Sequence, residues 1–367
     1  MQPKKLDFID SLRGFAALYV ALFHFSLITN PAATAPRWLA PLTGLGGSGV
    51  TLFFVVSAFT LCLSMDSRGV DEQRPLLNYF IRRFFRIAPL FYVWIILYCI
   101  RDNLVFNVSH PVGEILRSVF FVLNLSPGHE QGFVWASWTL GVEMLFYVLF
   151  PFFFWLANNI GKAAAVFVAS MLLRAAWHAA VPHFVSDPAV AGSFYNFSLL
   201  RHLPTFLFGI LIYRIYRQIN FVEAARTGLG FFLVSVFWVA LLSLCYGVVS
   251  TGSLEGLTIE ALLYGCLLIG LSITAPRFMV NGLTRFYGKI SYSVYLSHAT
   301  TLYFLSPVFA VIYRHIPYVT VAYALSLAVG MTVVTLISYL TYRFVELPGQ
   351  HIGRSIIKSQ RRSSASA

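Results

Sequence analysis

The sequence predicts an all-α membrane protein, a polytopic bundle of about ten transmembrane helices with both termini on the inner side of the membrane. Three observations lead to this prediction. Hydrophobic residues make up 58% of the chain and charged residues only 11%, apolar runs recur along its whole length, and basic residues concentrate in alternate loops. No soluble domain of this size has such a composition. A net charge of +12 could indicate a nucleic-acid partner, but we expect none, because membrane topology explains most of the basic residues.

Ten apolar runs are long enough to cross a bilayer core, which requires about 20 helical residues. They lie near residues 12–29, 46–64, 87–105, 136–156, 163–181, 197–215, 229–249, 256–274, 290–312 and 319–342. The first run lacks a small-residue cleavage site, so we interpret it as a retained span rather than a signal peptide. The shorter segment 115–125 is predicted to be interfacial or re-entrant. Residues 1–354 are expected to form one transmembrane domain, followed by a basic, disordered cytoplasmic tail at 355–367.

The distribution of lysine and arginine orients these spans. If the N-terminus lies inside, most of the 26 basic residues fall in inner loops. The outer loops then hold only Arg37, Arg101, Arg117 and Arg314, and the spans hold Arg174 and Arg201. Because inner loops are enriched in lysine and arginine, this bias predicts that both termini are cytoplasmic.

The first span carries three polar groups, Asp10, Arg13 and His24. Arg13 and His24 return to nearly the same helix face, roughly 16 Å apart. Such groups are costly within a membrane and are usually functional. Helix counting places His24 about 18 Å from the inner edge and Glu143 roughly 10 Å from the outer edge, at similar depth in a core of about 30 Å. A carboxylate beside a histidine can fix its tautomer and support it as a general base; the alternative is two unrelated interhelical hydrogen bonds.

A second group of candidates consists of Arg82, Arg83 and Arg86, which helical spacing brings together at the inner interface. Three guanidiniums within about one turn bind phosphate groups well. The alternative is an ordinary basic anchor that contacts anionic membrane lipid.

Further polar residues lie within the apolar runs. We predict a substrate cavity lined by Ser57, Trp138, Tyr292 and His298, although a packing role is equally open for His298. Five others either pair among themselves or line an acceptor cleft: Arg174, His178, Arg201, His202 and Glu260. The cysteines show no metal-ligand spacing, so no metal is expected.

Six short motifs follow one another along nearly the whole chain. They are Asp10-Ser-Leu-Arg13-Gly-Phe-Ala-Ala with His24; Gly49-Val-Thr-Leu-Phe-Phe-Val-Val-Ser57; Arg82-Arg-Phe-Phe-Arg86-Ile-Ala-Pro89-Leu-Phe-Tyr92; Ser137-Trp-Thr-Leu-Gly-Val-Glu143-Met-Leu-Phe-Tyr147 with Pro151; Tyr292-Ser-Val-Tyr-Leu-Ser-His298; and Phe344-Val-Glu346-Leu-Pro348. In this order they resemble the acyltransferase-3 family, membrane acyltransferases that O-acylate bacterial surface sugars. One departure is Ala58, where the family usually has glycine.

The resemblance implies ten membrane helices in the bacterial inner (cytoplasmic) membrane and an acyl-CoA donor, usually acetyl-CoA, on the cytoplasmic side. It implies an acceptor hydroxyl on the outer side, in a sugar or lipid-linked glycan such as lipopolysaccharide O-antigen or exopolysaccharide. It also favours coenzyme A phosphates as the ligand of the arginine cluster.

These inferences combine into a catalytic hypothesis. His24 takes the proton from the acceptor hydroxyl, Glu143 orients His24, and Arg13 with Asp10 either shapes the donor channel or steadies donor phosphate. An acyl-histidine, or an acyl-serine on Ser57 or Ser297, remains an alternative to direct transfer. The competing function is a proton-coupled transporter or flippase of a glycan or lipid-linked sugar, since such proteins also carry intramembrane charges. The lack of an internal repeat weighs against transport. A lipid acyltransferase facing the cytoplasm is a third alternative.

Overall fold

The computed structural model describes residues 7–30, 33–68, 72–249 and 256–365. These residues form α-helices joined by short 3-10 and π-helical turns, and no β-strand occurs among them. The first nine helices are α1 (Asp7–Ile28), α2 (Ala40–Gly44), α3 (Gly49–Arg68), α4 (Pro75–Phe106), α5 (Val112–Val119), α6 (Trp138–Leu156), α7 (Ile160–Ala180), α8 (Pro188–Asn196) and α9 (Leu199–Tyr216). The others are α10 (Phe221–Arg226), α11 (Leu229–Cys245), α12 (Gly256–Ile273), α13 (Gly282–Lys289), α14 (Ser291–Phe304), α15 (Ser306–His315), α16 (Val319–Thr341) and α17 (Leu347–Ala365).

The all-α prediction is confirmed, and each predicted apolar run contains one of these helices or a bent pair of them. Within the described part of the chain, seven helices are long and apolar enough to cross a membrane. They become eight if α14 and α15, which meet at a bend of 56°, count as one span. The chain is therefore a multi-pass membrane protein by helix length and composition, whereas ten spans and cytoplasmic termini stay predictions.

The chain divides into two compact units. Unit 1 comprises Met1–Ser57 and Ile212–Tyr339, and unit 2 comprises Ala58–Leu211 and Leu340–Ala367.

Helix α1 is central to unit 1, where it packs against α13 and α14. The contact with α13 is made backbone to backbone. A Cβ added to Gly288 would lie 1.8 Å from the carbonyl oxygen of Asp10, and one added to Gly14 would lie 2.4 Å from that of Thr284. Ser11 and Thr284 share a hydroxyl hydrogen bond of 2.9 Å across the same contact. Because glycine has no side chain, the backbones of α1 and α13 can approach each other this closely.

In unit 2, α17 packs along α4. A Cβ added to Gly353 would lie 2.8 Å from Cβ of Phe85, so this glycine allows the two helices to approach closely. We expected the chain from residue 355 to be disordered, but α17 continues to Ala365. Ile357 is buried in this helix, and burial of apolar surface stabilises the helical backbone. Residues 366–367 of the predicted tail lie outside the described residues.

The segment predicted to be interfacial or re-entrant forms α5 and a 3-10 turn at Leu123–Leu125. Helix α5 has eight residues, about 12 Å of helix, which is too short to cross a bilayer core of about 30 Å. The segment from Leu123 into α6 is fastened by Asn124. Its amide donates to the carbonyl oxygens of Glu130, at 3.1 Å, and Phe197, at 2.7 Å.

Candidate active site

The imidazole of His24 in α1 is hydrogen-bonded to the imidazole of His298 in α14. Nδ1 of His24 lies 2.9 Å from Nε2 of His298, and Nδ1 of His298 lies 3.1 Å from the carbonyl oxygen of Val294. A carbonyl only accepts, so Nδ1 of neutral His298 carries the proton and its Nε2 is an acceptor. This assignment from the hydrogen-bond pattern makes Nδ1 of His24 the donor. The lone pair that a general base requires is then on Nε2 of His24.

The two histidines differ in accessibility. His298 is fully buried, with 0% of its surface exposed, whereas His24 is partly exposed. The ring of Tyr295 lies 5.7 Å from that of His298, and the ring of Phe23 lies 5.1 Å from that of His24. One imidazole is thus fixed inside the unit and orients a second one that is partly exposed. The sequence placed His298 among the cavity-lining residues and did not pair it with His24.

The hydroxyl of Ser297, the residue before His298 in α14, is engaged within unit 1. Oγ of Ser297 lies 2.8 Å from Oγ of Ser338, and Ser297 is fully buried. Tyr292 lies on α14 with His298 and is partly exposed, and Ser57 is a buried residue of α3. Among the two serines considered for an acyl-enzyme, Ser297 is therefore closed off by its hydroxyl partner.

The polar residues at the beginning of α1 show a contact that the sequence did not predict. Asp10 and Arg13 are partly exposed on this helix. Asp7 forms an ion pair in which its Oδ2 lies 2.6 Å from Nη1 of Arg285. The signal for Asp7 in the sequence is its position in the first turn of a helix, where a carboxylate interacts favourably with the helix dipole.

Glu143 belongs to unit 2 and lies among aromatic residues and arginine. Its Oε1 accepts a hydrogen bond of 2.5 Å from the hydroxyl of Tyr147, and the carbonyl oxygen of Tyr147 accepts one of 3.0 Å from the hydroxyl of Tyr79. The guanidinium carbon of Arg83 lies 5.9 Å from the ring centre of Tyr79 and 5.8 Å from that of Tyr147. Glu143 is thus linked to the arginine cluster of its own unit, and its pairing with His24 stays a prediction.

Arg82, Arg83 and Arg86 line one cavity of about 280 Å³ in unit 2. Two further arginines, Arg68 from α3 and Arg354 from α17, line it as well. We call this cavity the arginine pocket; its remaining lining residues are Phe85, Gln350 and Gly353. Sequence reasoning missed Arg68 and Arg354 because they are far from residues 82–86 along the chain.

The arginines of the pocket are not equivalent. Arg82 binds the carboxylate of Glu72 through both of its terminal nitrogens, with Nη1 2.7 Å from Oε1 and Nη2 3.1 Å from Oε2. This bidentate geometry is the strong form of an arginine–carboxylate pair. Since Glu72 balances one positive charge, the pocket keeps a net positive charge that suits an anionic group.

Trp138, at the beginning of α6, packs against the junction of α8 and α9. Its ring lies 4.9 Å from that of Phe197 and 5.2 Å from that of His202. Nε2 of His202 lies 3.0 Å from the carbonyl oxygen of Asn196. Trp138 thus belongs to unit 2, whereas the other residues of the predicted substrate cavity, Ser57, Tyr292 and His298, belong to unit 1.

The polar residues whose roles were left open fall in different places. Glu260 of α12 accepts a hydrogen bond of 2.6 Å from Oγ1 of Thr51 in unit 1. In unit 2, Arg174 is buried in α7, while His178 and Arg201 both contact the ring of Tyr195. Among the described residues, no group of three or more His, Cys, Asp or Glu is placed to hold a metal ion.

Comparison with known proteins shows which protein family this chain resembles. The profile of a family described as an acyltransferase domain matches residues 6–343. The chain is 26% identical to the putative acetyltransferase ORF330 of Acidianus two-tailed virus, over 79% of this chain and 81% of the relative. It is 26% identical to the exopolysaccharide production protein ExoZ of Rhizobium meliloti, over 69% of this chain and 76% of that protein. It is 25% identical to the putative peptidoglycan O-acetyltransferase YrhL of Bacillus subtilis, over 49% of this chain and 28% of that protein. No solved structure matches the chain.

Proposed function

The chain belongs to the acyltransferase family, and on this premise we propose that it transfers an acyl group, most simply acetyl, from acyl-CoA to a hydroxyl of a cell-surface glycan. It is an acyltransferase, which sets aside the transporter and flippase alternative. The relatives named for exopolysaccharide production and for peptidoglycan O-acetylation support a polysaccharide acceptor. Mass spectrometry of the acylated glycan distinguishes an O-antigen, an exopolysaccharide and a lipid-linked precursor as the acceptor.

The single observation that carries the proposal is the hydrogen-bonded pair of His24 and His298. Nε2 of His24 takes the proton from the acceptor hydroxyl while the oxygen attacks the thioester carbonyl. A C–O bond forms, the C–S bond breaks, and the coenzyme A thiolate leaves and receives the proton from His24. His298 accepts the hydrogen bond from Nδ1 of His24 throughout, so it fixes the imidazole and stabilises the imidazolium that forms. Glu143 stays a candidate catalytic residue, as do Arg13 and Asp10.

The donor is assigned to the arginine pocket. Coenzyme A carries several phosphate groups, and planar guanidiniums bind phosphate in a bidentate manner. Arg83 and Arg86, together with Arg68 and Arg354, supply the charge, because Arg82 is engaged by Glu72. On the predicted topology this pocket faces the cytoplasm, where acyl-CoA is made, and the protein resides in the bacterial inner membrane.

The test uses the protein purified in detergent with radiolabelled acetyl-CoA and polysaccharide isolated from the producing cell. We expect label in the polysaccharide, since acyl transfer needs no closed compartment. Mass spectrometry of surface glycans from cells with and without the protein then identifies the modified sugar. Label that appears only in lipid, or glycans with unchanged acyl content, would overturn the proposal.

A further inference from the structure

Unit 2 contains a cavity of about 420 Å³ beside α8, at the C-terminal end of α7. We call it the α8 cavity. Its polar wall consists of four lining residues that contact one another, His178, Tyr195, Asn196 and Arg201. Most of its other lining residues are apolar, Val185 among them. The volume lies within the range of about 300–1,000 Å³ that is typical of small-molecule sites.

The polar wall is suited to neutral hydroxyl groups. Arg201 donates from Nη1 to the amide oxygen of Asn196, and its guanidinium carbon lies 5.0 Å from the ring centre of Tyr195. The ring of His178 lies 4.6 Å from that of Tyr195. Guanidinium, amide and imidazole groups together supply donors and acceptors on planar frames. A sugar ring presents such hydroxyls at its rim and apolar C–H groups on its faces, which matches a cavity that is lined by both polar and apolar residues.

The cavity is built on a small core of its own, so its shape is fixed before a ligand arrives. Val181, Val185, Ala191, Phe194 and Tyr195 are buried together there. A site whose walls are held by packing does not spend binding free energy on ordering them.

Hydrogen bonds attach this core to the rest of unit 2. Nε1 of Trp177 donates to Oγ of Ser198, at 2.9 Å, and Oγ of Ser198 donates to the carbonyl oxygen of Tyr195, at 2.8 Å. Asp187 caps α8 by accepting from the amide of Ala189, at 2.8 Å. Because Tyr195 is a wall residue, this network fixes the polar wall as well as the core.

Along α6, the α8 cavity lies near the first turn, whereas the arginine pocket lies nearer the middle of the helix. Trp138, in the first turn of α6, packs against Phe197 next to the cavity wall, whereas Tyr147 bonds Tyr79, one turn before the cluster at residues 82–86. Nine residues separate Trp138 from Tyr147, which is about 14 Å of helix. If the arginine pocket faces the cytoplasm, the α8 cavity faces the outer side, where the acceptor glycan is proposed to be.

We propose that the α8 cavity binds a sugar ring of the acceptor glycan, with Arg201, Asn196 and His178 as hydroxyl ligands. This assignment rests on the proposed function for the identity of the glycan. It gives Arg201 and His178, whose roles the sequence left open, a shared role in acceptor binding.

The experiment compares Arg201→Ala, Arg201→Lys and Asn196→Ala with wild type and with Arg314→Ala. Arg314 is an exposed arginine of unit 1 that lies on the same predicted side of the membrane, and it serves as the matched control. In the acetyl-transfer assay, we expect the KM for polysaccharide to rise about tenfold or more in the alanine variants, as for a lost charge-assisted hydrogen bond. The KM for acetyl-CoA should stay within twofold of wild type. Arg201→Lys should resemble Arg201→Ala, because lysine keeps the charge but loses the planar fork.

A second measurement does not depend on activity. Saturation-transfer NMR with methyl glucoside, galactoside, mannoside and N-acetylglucosaminide detects pyranoside binding to the purified protein without any donor. We expect saturation of at least one pyranoside by wild type and by Arg314→Ala, and its loss in Arg201→Ala and Asn196→Ala. Equal saturation in all four proteins, or saturation of none of the pyranosides, would overturn the α8 assignment. Absence of acetyl transfer by wild type would instead overturn the proposed function.

Discussion

The histidine pair of unit 1 and the arginine pocket of unit 2 place polar groups in an apolar protein in opposite ways. His24 and His298 form a chain of neutral donors and acceptors that ends on a backbone carbonyl. The arginine pocket instead gathers five guanidiniums around a space with one paired carboxylate. A neutral chain avoids the cost of a charge within the membrane, whereas a cluster of cations is stable only where water or an anionic ligand can reach it. The difference agrees with the proton transfer that we propose for unit 1 and the anion binding that we propose for unit 2.

Removing the base should have the largest effect. We expect His24→Ala to lower kcat for acetyl transfer by about 10²–10⁴-fold, the usual contribution of a general base. The KM for acetyl-CoA should change little. His315→Ala removes an exposed histidine of α15 and should leave kcat at the wild-type value. Retained activity in His24→Ala, at equal protein level in the membrane, would show that His24 is not the base.

The partner of the base should matter less, and in a way that depends on its chemistry. His298→Ala leaves Nδ1 of His24 without its acceptor, and loss of such an orienting partner lowers activity by about 10–100-fold. His298→Gln should recover part of the loss, because the amide oxygen can accept the same hydrogen bond. The measurement is kcat for both variants together with the pH–rate profile. If glutamine and alanine have equal effects and the profile is unchanged, His298 is only a packing residue.

Changes in the arginine pocket should alter donor binding rather than the chemical step. Arg86→Ala should raise the KM for acetyl-CoA about tenfold, as expected for a lost hydrogen bond between charged groups, with kcat nearly unchanged. Glu72→Gln removes the carboxylate that engages Arg82 and should lower the same KM several-fold. Arg343→Ala, an exposed arginine that lies outside the pocket, is the control. If neither Arg86→Ala nor Glu72→Gln changes the KM for acetyl-CoA, the arginines instead anchor the protein to lipid.

Local features of this chain could be predicted from its sequence, whereas contacts between distant residues could not. The lengths of the apolar runs predicted the helices, and polar groups within such runs singled out His24 and Glu143, because both signals are local. Partners were not predictable in this way. His298 is 274 residues from His24, and Arg354 joins Arg82 because α17 packs closely against α4, at Gly349 as well as at Gly353. Periodicity tells which face of a helix is polar, not which other helix it meets. The expected disorder after residue 355 was wrong for a similar reason, since composition does not report the packing of Ile357.

His110 represents a third arrangement, in which charges of both signs balance. It lies after α4, with Nε2 2.8 Å from Oδ2 of Asp102 and Nδ1 3.0 Å from Oε2 of Glu114. Nη2 of Arg101 lies 2.6 Å from Oδ1 of Asp102, and the imidazole is stacked on Phe133 at 4.2 Å. Burial alone would lower the pKa of His110, but the hydrogen bonds to Asp102 and Glu114 outweigh it, and the pKa is raised. The imidazole thus connects Asp102 of α4 to Glu114 of α5.

The smallest effect we predict is the pH dependence of this connection. Because the pKa of His110 is higher in the folded than in the unfolded chain, its contribution to stability is complete below the unfolded pKa. The contribution is lost as the pH rises through the folded pKa. His110→Gln keeps a polar side chain that does not titrate, so it should flatten the dependence of stability on pH in this range. The kcat for acetyl transfer and the KM for acetyl-CoA should stay at their wild-type values, because His110 lies outside the histidine pair and the arginine pocket. Thermal unfolding in detergent across a pH series measures the effect, which we expect to be a few degrees at most. An identical pH dependence in His110→Gln and wild type would show that the raised pKa of His110 does not stabilise the fold.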